Sequence, residues 1–210
     1  MLPVTPEVWL AYTLAAAIAI LIPGPVVIFM LSRAIAFGPR HALPCVLGVG
    51  AGDAIAMTVS FIGFGAAMAA SAHLFTALKW IGAVYLLWLA WKMWRAPVAA
   101  QEIGGLPPAG STPRAVLSAF TVTVLNPKGI AFFTAFVPQF VDPARPLVPQ
   151  LVLFGLTFVA LGTLFPALYV LFVGRIRRVL ARPAFLRGLN RGGSVMLGGA
   201  GLMTATLQRT

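Results

Sequence analysis

Apolar residues in this chain come in runs too long and too numerous for a soluble core to hide. Six segments stand out, over approximately 8–32, 43–69, 74–94, 115–139, 148–173 and 192–208. Each of the first five holds the ~20 residues that cross ~30 Å of hydrocarbon at about 1.5 Å per residue. The sixth, GGSVMLGGAGLMTATLQ, is shorter and Gly-rich, and small residues suit tight helix packing better than lipid contact. Composition agrees. Of 210 residues, 60% are hydrophobic and 9% charged, with mean hydropathy +0.96, where a soluble domain carries about 25% charged residues. That balance excludes a soluble globular enzyme and a disordered chain, which needs low hydrophobicity. Collagen is excluded because the 21 Gly and 17 Pro follow no three-residue period. The runs are continuous rather than ten-residue alternations, so an all-α polytopic membrane protein remains.

Charge then orients the spans. The 15 Lys+Arg against 4 Asp+Glu give a formal charge of +11, which in a soluble protein would suggest nucleic acid. Here the cations lie almost entirely between apolar runs, so they are topology signals and no nucleic acid is expected. The first, third and fifth connections hold Arg33, Arg40, Lys92, Arg95, Arg114, Arg175, Arg177, Arg178, Arg182, Arg187 and Arg191. The opposite side holds only Lys79, Arg145 and Arg209, and Lys128 falls inside a span. The positive-inside rule puts the odd connections in the cytoplasm and, with six spans, both termini outside. MLPVTPEVW lacks a basic n-region and the first apolar run exceeds an h-region, so no cleavable signal peptide is expected. The single Cys45 cannot form an internal disulfide, a CxxC pair or a Cys-based metal site, and reads as a small core residue. No cofactor and no metal site are expected.

The third connection, RAPVAAQEIGGLPPAGSTPR, is the one long loop. It divides a single membrane domain, 1–210, into a first three-helix repeat (1–95), a central cytoplasmic loop (96–113) and a second three-helix repeat (114–210). Three is odd, so related halves would sit in opposite orientations, the inverted-repeat geometry of secondary transporters. The first half opens with IPGPVVIF and the second with LNPKGIAFF, each placing Pro and Gly inside an otherwise helical run. The first and fourth helices are therefore expected to be broken by proline.

Three features carry chemistry. Pro23-Gly24-Pro25 doubles the loss of helical hydrogen bonds, and bare backbone groups at membrane depth are tolerated only where protein or a water-filled cavity receives them. The alternative is a kink used for packing. Asp53, in LGVGAGDAIAM, is the one carboxylate inside an apolar span. At the bilayer centre it costs ~2.5–3.5 kcal/mol on insertion scales, which marks it as a proton carrier, an ion ligand or a partner for a substrate ammonium. The structural alternative is an ion pair with Lys128, and the two roles are compatible if the pair opens during transport. Gly48, Gly50 and Gly52 precede it on the same helix and allow a backbone or a ligand to come close. Asn126-Pro127-Lys128-Gly129 adds an amide, a break and a cation, and a half-helix N-terminus suited to a carboxylate. Pro23 lies ten residues before Arg33, Asp53 ten after Leu43 and Asn126 twelve after Arg114. Each is therefore ~15–18 Å from the cytoplasmic boundary, near the midplane.

Other residues have plainer readings. His41 and His73 fall in connections, where solvation is expected. Trp80, Trp88, Trp91 and Trp94 read as packing and interface anchors. Phe132 and Phe133 read as helix packing before a gate, and Gln139 and Asp142 as helix-end polarity.

PGP in span one, GxGxGD in span two, NPKGIAFFTAFVPQFV in span four and the closing LNRGGSVMLGGAGLM together resemble the LysE/RhtB family of bacterial amino-acid exporters, over essentially the whole chain. The resemblance implies export of amino acids or derivatives across the bacterial inner membrane, driven by an ion gradient, with H+ as the coupling ion. Carried over by motif, the binding positions are Pro23, Gly24, Pro25, Gly48, Gly52, Asp53, Asn126, Pro127 and Lys128. Where the family often has Asn or Asp after PGP, this chain has Val26 and Val27. Only Asp53 then remains to balance a cationic side chain, so neutral amino acids are favoured over lysine or arginine. The implied partners are a small-molecule substrate and the lipid bilayer, with a homo-oligomer left open.

Two other classes compete. A passive channel for small polar solutes is separated from a carrier by gradient dependence and rate. An intramembrane enzyme is disfavoured: one carboxylate at depth cannot hold Mg²⁺, and neither His sits at depth as a base.

Overall fold

The computed structural model describes residues 3–22, 24–70, 72–95, 111–142, 144–180 and 182–206. Among them every regular element is helical: α1 Pro6–Leu21, α2 Pro25–Phe37, α3 Pro39–Ala42, α4 Cys45–Ala70, α5 Ala72–Arg95, α6 Thr112–Val124, α7 Pro127–Ala131, α8 Leu147–Leu171, α9 Val173–Leu180 and α10 Pro183–Thr206. A π-helical turn, Phe132–Phe136, and a 3₁₀ turn, Val137–Phe140, continue α7. The central loop of 96–113 lies outside the described residues up to position 110.

Two apolar stretches break where proline occurs. α1 begins at Thr5-Pro6, with the Thr5 hydroxyl accepting from the Val8 N–H and Glu7 in the first turn, as a helix N-terminus favours. It ends at Leu21, and Pro25 opens α2 at a position where its missing N–H is not needed. The axes of α1 and α2 differ by 54°. α6 ends at Val124 and Pro127 opens α7, with a bend of 41° between α6 and the segment Pro127–Phe140. Pro138 then withholds the N–H that would return to the Thr134 carbonyl, where the helix has already left α geometry. Among the described residues two helices are long and apolar enough to cross a membrane, Pro39–Ala66 and Leu147–Leu171, and up to four if each bent pair is one span.

Packing follows small residues. α4 lies between α6 and α8 because its glycines let it. A Cβ at Gly48 would strike the Val116 carbonyl oxygen, and one at Gly52 would come within 2.9 Å of the Phe120 oxygen. Gly50 meets the Thr163 methyl of α8 in the same way. α2 packs on α8 and α5 on α10. Cys45 is fully buried in a core with Met30, Val49, Ala115 and Val170, as its apolar surroundings suggest.

Two boundaries differ from those that apolar runs suggest. The first run continues past 32 to Phe37, so Arg33 lies on a helix and is 2% exposed rather than in a solvated connection. Its Nε donates to the His41 carbonyl at 3.1 Å and its guanidinium sits 5.2 Å from the Phe37 ring centre, which ties α2 to α3 across Gly38. Gly38, at φ 82°, makes the turn that an L side chain would strain. His41 is exposed on α3, with Nδ1 2.9 Å from the Phe37 carbonyl. At the other end α10 begins at Pro183, not 192, so Arg187 and Arg191 ride on the helix. An apolar-run count misses those turns because their arginines project from a regular backbone. The Arg191 guanidinium lies 5.4 Å from the Trp94 ring, Lys92 pairs with Trp88 and Arg95 with Trp91. These tryptophans are exposed, as interface anchors are.

The end of the fourth segment is held by one buried side chain. Gln150, fully buried in the first turn of α8, accepts from the Asp142 N–H at 2.8 Å and donates to the carbonyls of Asp142, Arg145 and Pro146. Asp142 pairs with Arg145 at 3.1 Å, both about 40% exposed, so its carboxylate is ordinary loop polarity.

Candidate functional site

Both helix breaks open onto one cavity of ≈ 70 Å³, which Gly24, Asp53, Asn126 and Lys128 line together with residues of α1, α2, α8 and α10. The break after α1 leaves the carbonyls of its last turn without helical donors. Two side chains from the second half supply them. The Lys128 Nζ donates to the Ile22 oxygen at 2.7 Å, and the Tyr169 hydroxyl of α8 donates to the Leu21 oxygen at 3.1 Å. The ammonium thus sits at the carbonyl end of a broken helix, where the backbone dipole favours a cation.

The second break is capped locally. The Asn126 side-chain oxygen accepts from the Lys128 N–H at 3.2 Å. That helix end is therefore occupied by its own chain, and what it presents to the cavity is the Lys128 ammonium and the Asn126 amide.

Asp53 faces them from α4. It is 8% exposed, its Oδ2 rests against Gly162 of α8, and a Cβ at Gly162 would collide with that oxygen. Among the described residues the carboxylate has no hydrogen-bond or ion-pair partner; Lys128 turns to Ile22 instead of pairing with it. Four residues along α8, Pro166 also lines the cavity, and its missing N–H leaves the Gly162 carbonyl without the usual helical donor. A lone acid, a cation and freed carbonyls thus surround one small space. Together they can hold both ends of a zwitterion without taking its charges to water.

Not every residue that the motifs single out meets this space. Gly24 does, 3.9 Å from Lys128 by a Cβ built there. Pro23 lies outside the described residues. Pro25 begins α2 with its ring exposed and off the cavity wall. Gly48 and Gly52 face α6 rather than the cavity. Pro127 lines a separate groove of ≈ 680 Å³ between α4, α5 and the α7 segment.

Several lining residues are not among the binding positions that the motifs single out. Phe158, Gly162 and Pro166 come from α8, Met196 and Leu197 from α10, and Tyr169 acts from just behind. The available signal for Tyr169 was its phenol: a tyrosine inside an apolar span must find a partner for its hydroxyl. Phe132 and Phe158 both line the cavity, with ring centres 5.0 Å apart, and belong to a larger aromatic cluster. Phe132 stacks on Phe136 at 4.9 Å, Phe158 meets Phe133 edge-on at 4.7 Å, and Tyr12, Phe140 and Phe154 extend the cluster. The Tyr12 hydroxyl donates to the Phe154 carbonyl at 3.0 Å and ties α1 to α8.

Broken apolar helices around a small, mostly apolar chamber that holds an acid, an amide and a cation define a helical membrane protein built to handle a solute rather than to present a surface. The LysE type translocator model matches residues 17–208, and the chain belongs to that family. It is 36% identical to an uncharacterized membrane protein of Vibrio cholerae, over 95% of this chain and 97% of the relative. It is 32% identical to a homoserine/homoserine lactone efflux protein of Salmonella typhimurium, over 95% and 97%. A leucine efflux protein of Klebsiella pneumoniae is 36% identical over 64% of this chain and 63% of its own length. No solved structure matches. Translocation, not covalent catalysis, is the family's activity.

Proposed function

We propose that the protein is a secondary active transporter that exports neutral amino acids or their derivatives across the bacterial inner membrane, coupled to the proton gradient. The observation that carries the reading is the convergence of Asp53, Asn126 and Lys128 on one cavity at two helix breaks. The substrate carboxylate goes to Lys128 and Asn126. Its ammonium takes Asp53 and the Gly162 carbonyl, which Pro166 leaves without a helical donor. Asp53 gains and loses a proton as the site changes sides, so that export of one zwitterion is linked to entry of protons. The efflux names of the relatives support amino acids as the substrate class. Val26 and Val27 after the break, and a single acid in the cavity, favour neutral ones.

Six spans in two inverted three-helix repeats, 1–95 and 114–210 joined by 96–113, with both termini outside, are part of the same proposal. In each half a bent pair comes first and a long helix second. Contacts between the halves support the layout: α4 packs on α8 and α5 on α10, and each long second helix packs on the other half's bent pair, α4 on α6 and α7 and α8 on α1 and α2. Such pairing of corresponding helices is what a pseudo-two-fold relation between the halves calls for. Alternating access then rocks one half against the other around the central cavity.

Uptake of labelled neutral amino acids into inverted membrane vesicles tests the reading. Accumulation that follows an imposed pH gradient, and is lost in Asp53→Asn, is expected. Normal pH-dependent transport by Asp53→Asn removes Asp53 from the mechanism, and rapid flux indifferent to any gradient replaces the carrier with a channel.

A further inference from the structure

We infer that the apolar part of the central cavity is the side-chain subsite, and that it selects aliphatic side chains over hydroxylated ones of the same length. This rests on the export reading above, and it names the substrate class within it.

The subsite is made by Ile20, Val26, Val27, Phe158, Met196 and Leu197, from α1, α2, α8 and α10. Among the described residues the only polar side chains on the cavity wall are Asp53, Asn126 and Lys128, and a zwitterion's two charged ends use these. The hydroxyls on the surrounding helices are committed elsewhere. Thr123 donates to the Ala119 carbonyl at 2.8 Å, Thr163 to the Val159 carbonyl at 2.9 Å, Tyr169 to Leu21 and Ser194 to the Ala90 carbonyl of α5 at 2.6 Å. None of the four lines the cavity. A substrate hydroxyl entering the apolar part would leave water and find no side-chain partner, the Gly162 carbonyl being taken by the ammonium, whereas a methyl there loses nothing.

Size points the same way. A cavity of ≈ 70 Å³ holds about five to seven waters at ~10–15 Å³ each, which the zwitterionic head largely fills. An aliphatic side chain of three or four carbons is accommodated only as the wall widens, with Met196, whose thioether chain is its most adaptable part, giving way. An indole or phenol is not.

Discrimination of this kind has a known ceiling. An apolar pocket rejects an isostere that adds one hydroxyl by about 10- to 100-fold, and not more. Norvaline and homoserine are such a pair, alike in length and differing in a terminal methyl against a hydroxyl.

The test is transport by the purified full chain in proteoliposomes with an imposed pH gradient, comparing labelled norvaline, homoserine and lysine. Expected is a kcat/KM for norvaline about 10- to 100-fold above homoserine, with lysine lower still. Met196→Gln supplies an amide where the hydroxyl would sit and is expected to narrow the norvaline:homoserine ratio at least about fivefold, through homoserine. Val27→Thr, made in parallel, tests the opposite wall if the first variant does not fold. Homoserine carried as well as norvaline by the unmodified protein, or a ratio unmoved in both folded variants, overturns the subsite and leaves the export reading standing. Transport of none of the three amino acids overturns both.

Discussion

Gly48→Ala isolates one methyl group whose consequence the structure specifies. The added Cβ would meet the backbone oxygen of Val116 and lie 3.1 Å from the Phe120 nitrogen, so no side-chain rotation relieves it and α4 and α6 must separate. Overpacking of this kind costs about 1–3 kcal/mol, offset by up to about 1 kcal/mol from replacing Gly by Ala within a helix. The net is a destabilisation of about 0–2 kcal/mol, and because the helical gain is common to any Gly→Ala change on this helix, Gly48→Ala is expected about 1–3 kcal/mol below such a control. At about 2–4 °C per kcal/mol for a chain of this size, that places its Tm roughly 2–12 °C below the control. Gly63→Ala is the internal control. It lies on the same helix with nothing within 4 Å of the new methyl, so only the helical gain applies and Tm is expected to hold or rise. Thermal unfolding of the purified proteins in one detergent, followed by intrinsic tryptophan fluorescence, measures both. Equal midpoints for Gly48→Ala and Gly63→Ala would refute the claim that Gly48 exists to admit α6.

Three other substitutions test single contacts. Tyr169→Phe leaves the Leu21 carbonyl without its donor and is expected to cost about 1 kcal/mol, or roughly 2–4 °C in Tm, with transport slowed but present. Gln150→Leu strands an N–H and removes a donor from three carbonyls at the start of α8; a loss of about 2–4 kcal/mol is expected in the same unfolding assay, with no shift in substrate preference. Lys128→Met removes both the cap on Ile22 and the proposed carboxylate partner. Transport in vesicles should fall about 10- to 100-fold, the equivalent of ~1.5–3 kcal/mol of charge-assisted hydrogen bonding, with Lys128→Arg intermediate.

The helix breaks were legible in the sequence because proline acts on its own backbone, and their position needs no knowledge of the rest of the chain. Asp53 and Asn126 could be set at one depth by counting residues from the ends of their spans, and they do line one cavity. Which partner Lys128 takes was not legible. Ile22 and Asp53 compete for it through the rotation of a long side chain, and spacing along two helices does not decide that. The direction of Gly48 and Gly52 was equally hidden, since a glycine invites a close approach without saying whose. Arg33 shows the limit of reading charge as exposure: the guanidinium is buried because a carbonyl and a ring receive it. The contribution of α10 to the cavity depends on how the last helix docks, and Met196 and Leu197 look in sequence like any apolar pair.

Reaction of engineered cysteines with a small water-soluble thiol reagent tests the central chamber most directly. Cys45 is the single native cysteine and is buried, so Cys45→Ala gives a clean background. Val27→Cys places a thiol on the cavity wall, and Leu47→Cys places one on the outer face of α4, where the native leucine is 73% exposed and does not line the central cavity. The account expects Val27→Cys to react in membranes, and to be slowed by a transported neutral amino acid, while Leu47→Cys stays inert in lipid. An unreactive Val27→Cys, or one whose rate no amino acid changes, would contradict it.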